Sequence, residues 1–130
     1  MSSIFLPLGL FYLAYILDLY ATRKGVKDDA SNEANPLARY LIVRSAPKAR
    51  MAVNVAYPII VTIIALYLPI LYGLWLAYTA FLGHLGGFLS WTRFNKLNDK
   101  VSNKTTAFLG ALLFAALLAY FIARIHLMLS

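Results

Sequence analysis

Apolar residues fall in long blocks separated by short polar stretches, and the block lengths predict the elements. The first block runs from Ile4 to Tyr20 with only Asp18 inside it, and it stops against Thr22-Arg23-Lys24-Gly25, where charge and glycine end a membrane helix. Its span, about 4–22, is enough to cross a bilayer, which takes about 20 residues. A cleaved signal peptide is the alternative, and Met1-Ser2-Ser3 argues against it by carrying no basic side chain. From Gly25 to Ala34 the chain is polar, with Lys27-Asp28-Asp29 and Ser31-Asn32-Glu33, and reads as a loop. Asn35-Pro36 then predicts a helix start, because an Asn side chain caps free N–H groups and proline at the first helical position loses no bond. The short helix that follows, about 36–45, sets Leu37, Leu41 and Ile42 against Arg39 and Arg44. It is expected to lie at the membrane interface until Ala46-Pro47 interrupts it.

Met51 to Thr92 contains no charged residue, a run about twice as long as one straight helix needs to cross the hydrocarbon core. It therefore predicts a hairpin that turns near Leu68-Pro69-Ile70-Leu71-Tyr72-Gly73, with Tyr67, Tyr72 and Trp75 as an interfacial aromatic belt. Two spans result, about 51–68 and 71–91. Arg93 to Lys104 is a second polar loop, and Ser102 or Asn103 caps a last span of about 105–129. The expected fold is all-α: a four-transmembrane-helix bundle with a short interfacial helix after the first loop, residues 1–130 forming a single integral membrane domain.

Composition agrees, with 62% hydrophobic and 13% charged residues among 130. Charge adds orientation. Arg23, Lys24, Lys27, Arg39, Arg44, Lys48 and Arg50 flank or occupy the first loop, and Arg93, Lys96, Lys100 and Lys104 the second, which leaves only Arg124 elsewhere. The positive-inside bias then places both loops in the cytoplasm and both termini outside, as a multi-pass protein of the cell membrane. The net charge of +7 is thereby explained without nucleic acid, which needs a basic face with stacking aromatics, and it suits anionic headgroups. On a cytoplasmic loop, Asn103-Lys104-Thr105 escapes N-glycosylation. Absence of cysteine removes disulfides, thiolate metal sites and thiol nucleophiles.

In lipid, helices associate through small residues and a few polar bonds. Ala107, Ala111, Ala115, Ala119 and Ala123 form an i+4 row on the last helix, with Gly110 beside it, and the third span carries Gly83 and Gly87, with Gly86 beside them. The plain reading packs the third span on the fourth; the sharper one gives one of these faces to another membrane subunit or a second copy.

Asp18 is the most informative residue, because a carboxylate inside a span requires compensation. Thr22 lies one turn along the same face. Asn54 enters from the same side, and Pro58, four residues on, has no N–H for the Asn54 carbonyl, so an acceptor is freed. His84 comes from the third span, somewhat deeper, and Asp18, Thr22, Asn54 and His84 are expected to form a polar intramembrane cluster onto which Glu33 and Asn35 fold back. The plainer alternatives are a carboxylate that snorkels or pairs with Arg23 or Lys24, and a neutral imidazole bonded to a hydroxyl or carbonyl. His126 falls near the far end, at a depth that makes bis-histidine haem ligation with His84 a poor fit. No cofactor is called for. His-Glu-x-x-His, Gly-x-Ser-x-Gly and phosphate-cradling glycine loops are missing, which counts against a self-contained enzyme.

Asp18 and Thr22 in the first span, followed by Glu33-Ala34-Asn35-Pro36-Leu37 in the loop, resemble a family of small uncharacterised archaeal and bacterial membrane proteins. Those proteins share an intramembrane Asp followed by Thr and a Glu-x-Asn-Pro-Leu segment. The resemblance covers about the first forty residues and carries no activity; it implies that Asp18, Thr22, Glu33, Asn35 and Pro36 make up the shared polar element.

Three functions follow from these features. The first is a non-catalytic subunit that packs in a membrane complex or homo-oligomer. The second is a proton or cation transporter or channel component using Asp18, Asn54 and His84. The third is a lipid-processing enzyme with Asp18 and Glu33 as acid and base or as metal ligands. Asp18→Asn separates the first two, since assembly survives it and a proton or cation path does not.

Overall fold

The computed structural model describes residues 3–26, 33, 35–92 and 103–130, and all the regular structure in them is helical. Five helices follow in order: α1 (Phe5–Val26), α2 (Pro36–Arg44), α3 (Pro47–Tyr67), α4 (Ile70–Thr92) and α5 (Lys104–Leu129). Most of the loop between α1 and α2 and all of 93–102, with Lys27, Asp28, Asp29, Arg93, Lys96, Lys100 and Ser102, lie outside the described residues.

Helix starts follow the capping chemistry. The Asn35 side chain accepts from Leu37 N and Ala38 N, with Pro36 in the first turn, and Asn103 accepts from Thr106 N. Two boundaries differ from the sequence expectation. Helix α1 continues through Arg23, Lys24 and Gly25, because basic side chains suit the negative end of the helix dipole and Gly25 lies directly against the Trp91 ring, where a Cβ would overlap it. Helix α3 starts at Pro47 rather than Met51: Ala46 is held extended before the proline, and Arg50 Nη1 donates to the Ile42 carbonyl at 3.4 Å. Between α3 and α4, Leu68 N bonds Ile64 O and Gly73 N bonds Pro69 O, so the hairpin turns on Leu68-Pro69. Gly73 there packs against the Ala65 carbonyl, an approach that only a residue without Cβ permits.

Helix α4 is the hub, packing against α1, α3 and α5. Leu8, Phe11 and Tyr15 of α1 meet Val61 and Ala65 of α3 and Ala77 of α4 in one buried cluster. Leu74 and Tyr78 of α4 meet Ala119 and Ala123 of α5 in a second, while Ala21 and Trp91, with Ile42 of α2 against them, form a third. These contacts fix the ends. Gly25, Trp91 and Ile42 are together at one end, and Arg39 joins it to Thr105 at the start of α5. Ile4, Leu71 and Leu127 are together at the other. The described basic residues Arg23, Lys24, Arg39, Arg44, Lys48, Arg50 and Lys104 thus belong to the first end, and Arg124 to the opposite one.

Helices α1, α3 and α5 are long and apolar enough to cross a membrane. Helix α4 is as long and carries no charge, but Tyr72, Trp75, Tyr78, Thr79, His84 and its glycines dilute its hydropathy. It is also the helix that packs against the other three.

Candidate functional site

The polar residues of α1, α3 and α4 meet on one side of the hub. Asp18 faces α4, where Oδ2 lies 2.7 Å from His84 Nδ1, and Thr22 Oγ1 donates to Oδ1 at 3.4 Å. On the other side of the imidazole, Nε2 is 3.1 Å from the Tyr57 hydroxyl of α3. Asp18 and His84 are 19% and 21% exposed, so the pair is largely but not wholly enclosed.

Room for the carboxylate comes from Gly87. A Cβ at that position would lie 2.7 Å from Asp18 Oδ1 and 2.9 Å from Cγ and Oδ2. The expectation that Gly83 and Gly87 form one face for the last helix therefore needs correcting: Gly83 faces Leu112 of α5, whereas Gly87 faces α1. The two are four residues apart on the most enclosed helix, and neighbours on different sides use them. On α5, Ala115, Ala119 and Ala123 are buried, while Ala107 and Ala111 are exposed and Gly110 has no neighbour where its Cβ would be.

Around the imidazole stand three aromatic rings, with centroids 5.0 Å (Tyr15), 5.6 Å (Tyr57) and 5.8 Å (Phe11) from that of His84. The seam continues away from the basic end through hydroxyls and main-chain carbonyls. Tyr15 donates to the Asn54 carbonyl at 2.7 Å, the acceptor that Pro58 leaves without a helical partner. Beyond it the Tyr12 hydroxyl lies 2.9 Å from Thr62 Oγ1, which donates to the Pro58 carbonyl. Leu8, Val61, Ala65 and Ala77, all under 10% exposed, close the far end with apolar groups.

Asp18, Thr22 and His84 are thus brought together; Asn54 contributes its main chain, its side chain being exposed. Asp18 pairs with His84 rather than with Arg23 or Lys24. Glu33 and Asn35 have different work from Asp18. The buried Glu33 carboxylate accepts from Asn35 N at 2.8 Å, so Glu33, Asn35 and Pro36 form the start of α2. His126 bonds Tyr78 at 2.8 Å, on different partners from His84. Among the described residues no group of three His, Asp or Glu side chains is placed to hold a metal.

Sequence reasoning missed Tyr57. The signal was present, since Asn54, Tyr57 and Val61 follow the i, i+3, i+7 spacing of one helix face.

Chemically, the Asp18–His84–Tyr57 chain is satisfied in two protonation states. A neutral imidazole donates from Nδ1 to the carboxylate and accepts at Nε2 from the Tyr57 hydroxyl; an imidazolium donates from both nitrogens, with the Tyr57 oxygen as acceptor. A proton can enter or leave with both imidazole nitrogens still bonded. No family model matches the chain, and no curated protein and no solved structure matches it either.

Proposed function

We propose that this chain is a four-span integral membrane protein acting as a proton transporter or channel component, with Asp18, His84 and Tyr57 as its proton-exchanging centre. The observation that carries this reading is the unbroken carboxylate–imidazole–phenol chain, which runs from the largely enclosed Asp18–His84 pair to the partly exposed Tyr57. A titratable pair at that depth is costly, and such groups mark proton and ion pathways.

Membrane residence is supported by the outward faces. Leu13 and Ile16 on α1, Ile59, Ile60 and Ile63 on α3, and Phe114, Leu117 and Phe121 on α5 all stand exposed, a surface that water would penalise and hydrocarbon accepts. Helix α4 is of similar length, carries no charge and exposes Ile70, Tyr72, Trp75 and Leu89, which supports it as the fourth span. With the basic residues gathered at one end, the positive-inside bias puts both polar segments in the cytoplasm and both termini outside. The layer of Leu8, Val61, Ala65 and Ala77 closes the seam with apolar groups toward the other side.

Vesicles reconstituted with the protein test this. Under an imposed potential, wild type is expected to pass protons above the rate of empty vesicles. Tyr57→Phe, which removes one hydrogen-bonded link and keeps the ring, lowers the rate about tenfold, as for a lost bond of about 1.4 kcal/mol. A wild-type rate equal to that of empty vesicles defeats the reading. A second reading, as a non-catalytic subunit, is favoured by one observation: the small-residue row of α5 is used only in part, leaving Ala107, Gly110 and Ala111 open for another helix.

A further inference from the structure

We infer that Tyr15 is a positioning residue for the proton-exchanging centre: by holding the Asn54 carbonyl it sets the Tyr57 hydroxyl against His84. Its effect on flux rests on the proton-exchange reading, whereas the placement of Tyr57 is tested apart from it.

The need for such a residue arises in α3. Inside a helix the Asn54 carbonyl would accept from the residue four positions on, and Pro58 has no N–H to give. The turn that ends at Tyr57 therefore lacks one of the bonds that would join it to the rest of α3. Neighbouring helices do not enclose it either. Every residue from Met51 to Tyr57 is exposed, whereas Pro58, Val61 and Ala65 beyond it are buried. Arg50 ties only the first turn of α3, through the Ile42 carbonyl.

Helix α1 supplies the missing tie. The Tyr15 hydroxyl donates to the Asn54 carbonyl at 2.7 Å, three residues before Tyr57. Its ring centroid is 5.4 Å from that of Tyr57 and 5.0 Å from that of His84, so one side chain touches the backbone, the phenol and the imidazole. Asp18, three residues further along α1, bonds the opposite nitrogen of the same imidazole. Helix α1 thus governs both nitrogens, Nδ1 directly through Asp18 and Nε2 indirectly through Tyr15 and Tyr57. Tyr12 is the contrast, since its hydroxyl meets the Pro58 carbonyl and Thr62, beyond the turn that carries Tyr57.

The test uses the full chain reconstituted in vesicles, read by the imidazole nitrogen resonances of His84 and by proton flux. Tyr15→Phe keeps the ring and removes the tie. It is expected to shift the Nε2 resonance in the direction that Tyr57→Phe does, to leave Nδ1 nearly in place, and to lower flux about three- to tenfold. Tyr15→Phe with Tyr57→Phe conducts as well as Tyr57→Phe alone, because Tyr15 acts through Tyr57. Pro58→Ala in the Tyr15→Phe background supplies the missing N–H and returns Nε2 toward its wild-type position, and Tyr12→Phe does not move it. An Nε2 resonance indifferent to Tyr15→Phe, an equal shift in Tyr12→Phe, no recovery with Pro58→Ala, or flux losses that add in the double variant overturns the inference. Wild-type flux no higher than that of empty vesicles defeats the proton-exchange reading instead, and the resonances still decide whether Tyr15 places Tyr57.

Discussion

His84→Leu is expected to cost about 2–3 kcal/mol of stability and to stop proton flux, while the double variant Asp18→Leu/His84→Leu regains most of the stability and none of the flux. The argument starts from what each change leaves behind. Removing His84 leaves a carboxylate facing the space that Phe11, Tyr15 and Tyr57 surround, with Thr22 at 3.4 Å as its remaining side-chain bond among the described residues. Breaking a wholly buried pair this way costs about 3–5 kcal/mol, mostly from the charge left behind. The pair here is about a fifth exposed, which lowers the figure. An interhelical hydrogen bond in a membrane protein alone averages about 0.6 kcal/mol and reaches about 1.7, so most of the expected cost comes from the stranded carboxylate. Replacing both partners with leucine removes the charge and fills the space, and such exchanges are close to neutral. Unfolding in a denaturing detergent, measured beside vesicle flux, separates the terms. A double variant as unstable as the single one would mean that His84 is held by its rings and not by Asp18. A double variant that still conducts would remove the relay.

The sequence showed most of the scaffold, because its signals are local. A charge-free run twice the length of a span, interrupted by Pro69 and Gly73, can only fold back on itself, and Asn35-Pro36 contains the whole physical reason for starting α2. The site was legible where a residue is expensive in lipid: Asp18 and His84 draw attention because nothing apolar explains them. Tyr57 and Tyr15 did not, since tyrosine is ordinary at membrane interfaces and its role depends on which neighbour its hydroxyl reaches. The glycines went astray for a related reason. Spacing says that a helix face is smooth, but whether α1 or α5 comes to rest on it is decided by three-dimensional packing. The proline at position 58 lies between these cases. Its missing N–H predicts a free carbonyl, and the structure supplies Tyr15 as the donor.

Gly87→Ala is expected to destabilise the protein by about 1–3 kcal/mol, the range for overfilling a packed site, although alanine is the better helix former. A new methyl group would lie within 2.9 Å of three atoms of the Asp18 carboxyl group, closer than real contacts allow. A longer side chain would swing aside. Asp18 has a single methylene and is held by His84 at 2.7 Å and by Thr22, so relief comes from stretching the Asp18–His84 bond or from moving α1 off α4. Gly86→Ala is the matched control. It adds the same methyl one position away, where nothing lies within 4 Å, and it should be neutral or stabilise the helix by up to about 1 kcal/mol. The decisive readout is the imidazole nitrogen resonances of His84. Gly87→Ala shifts them as the bond to Asp18 lengthens, and Gly86→Ala leaves them in place. If the two alanines behaved alike in both stability and spectrum, the carboxylate would not be packed against Gly87, and the placement of Asp18 between α1 and α4 would have to be abandoned.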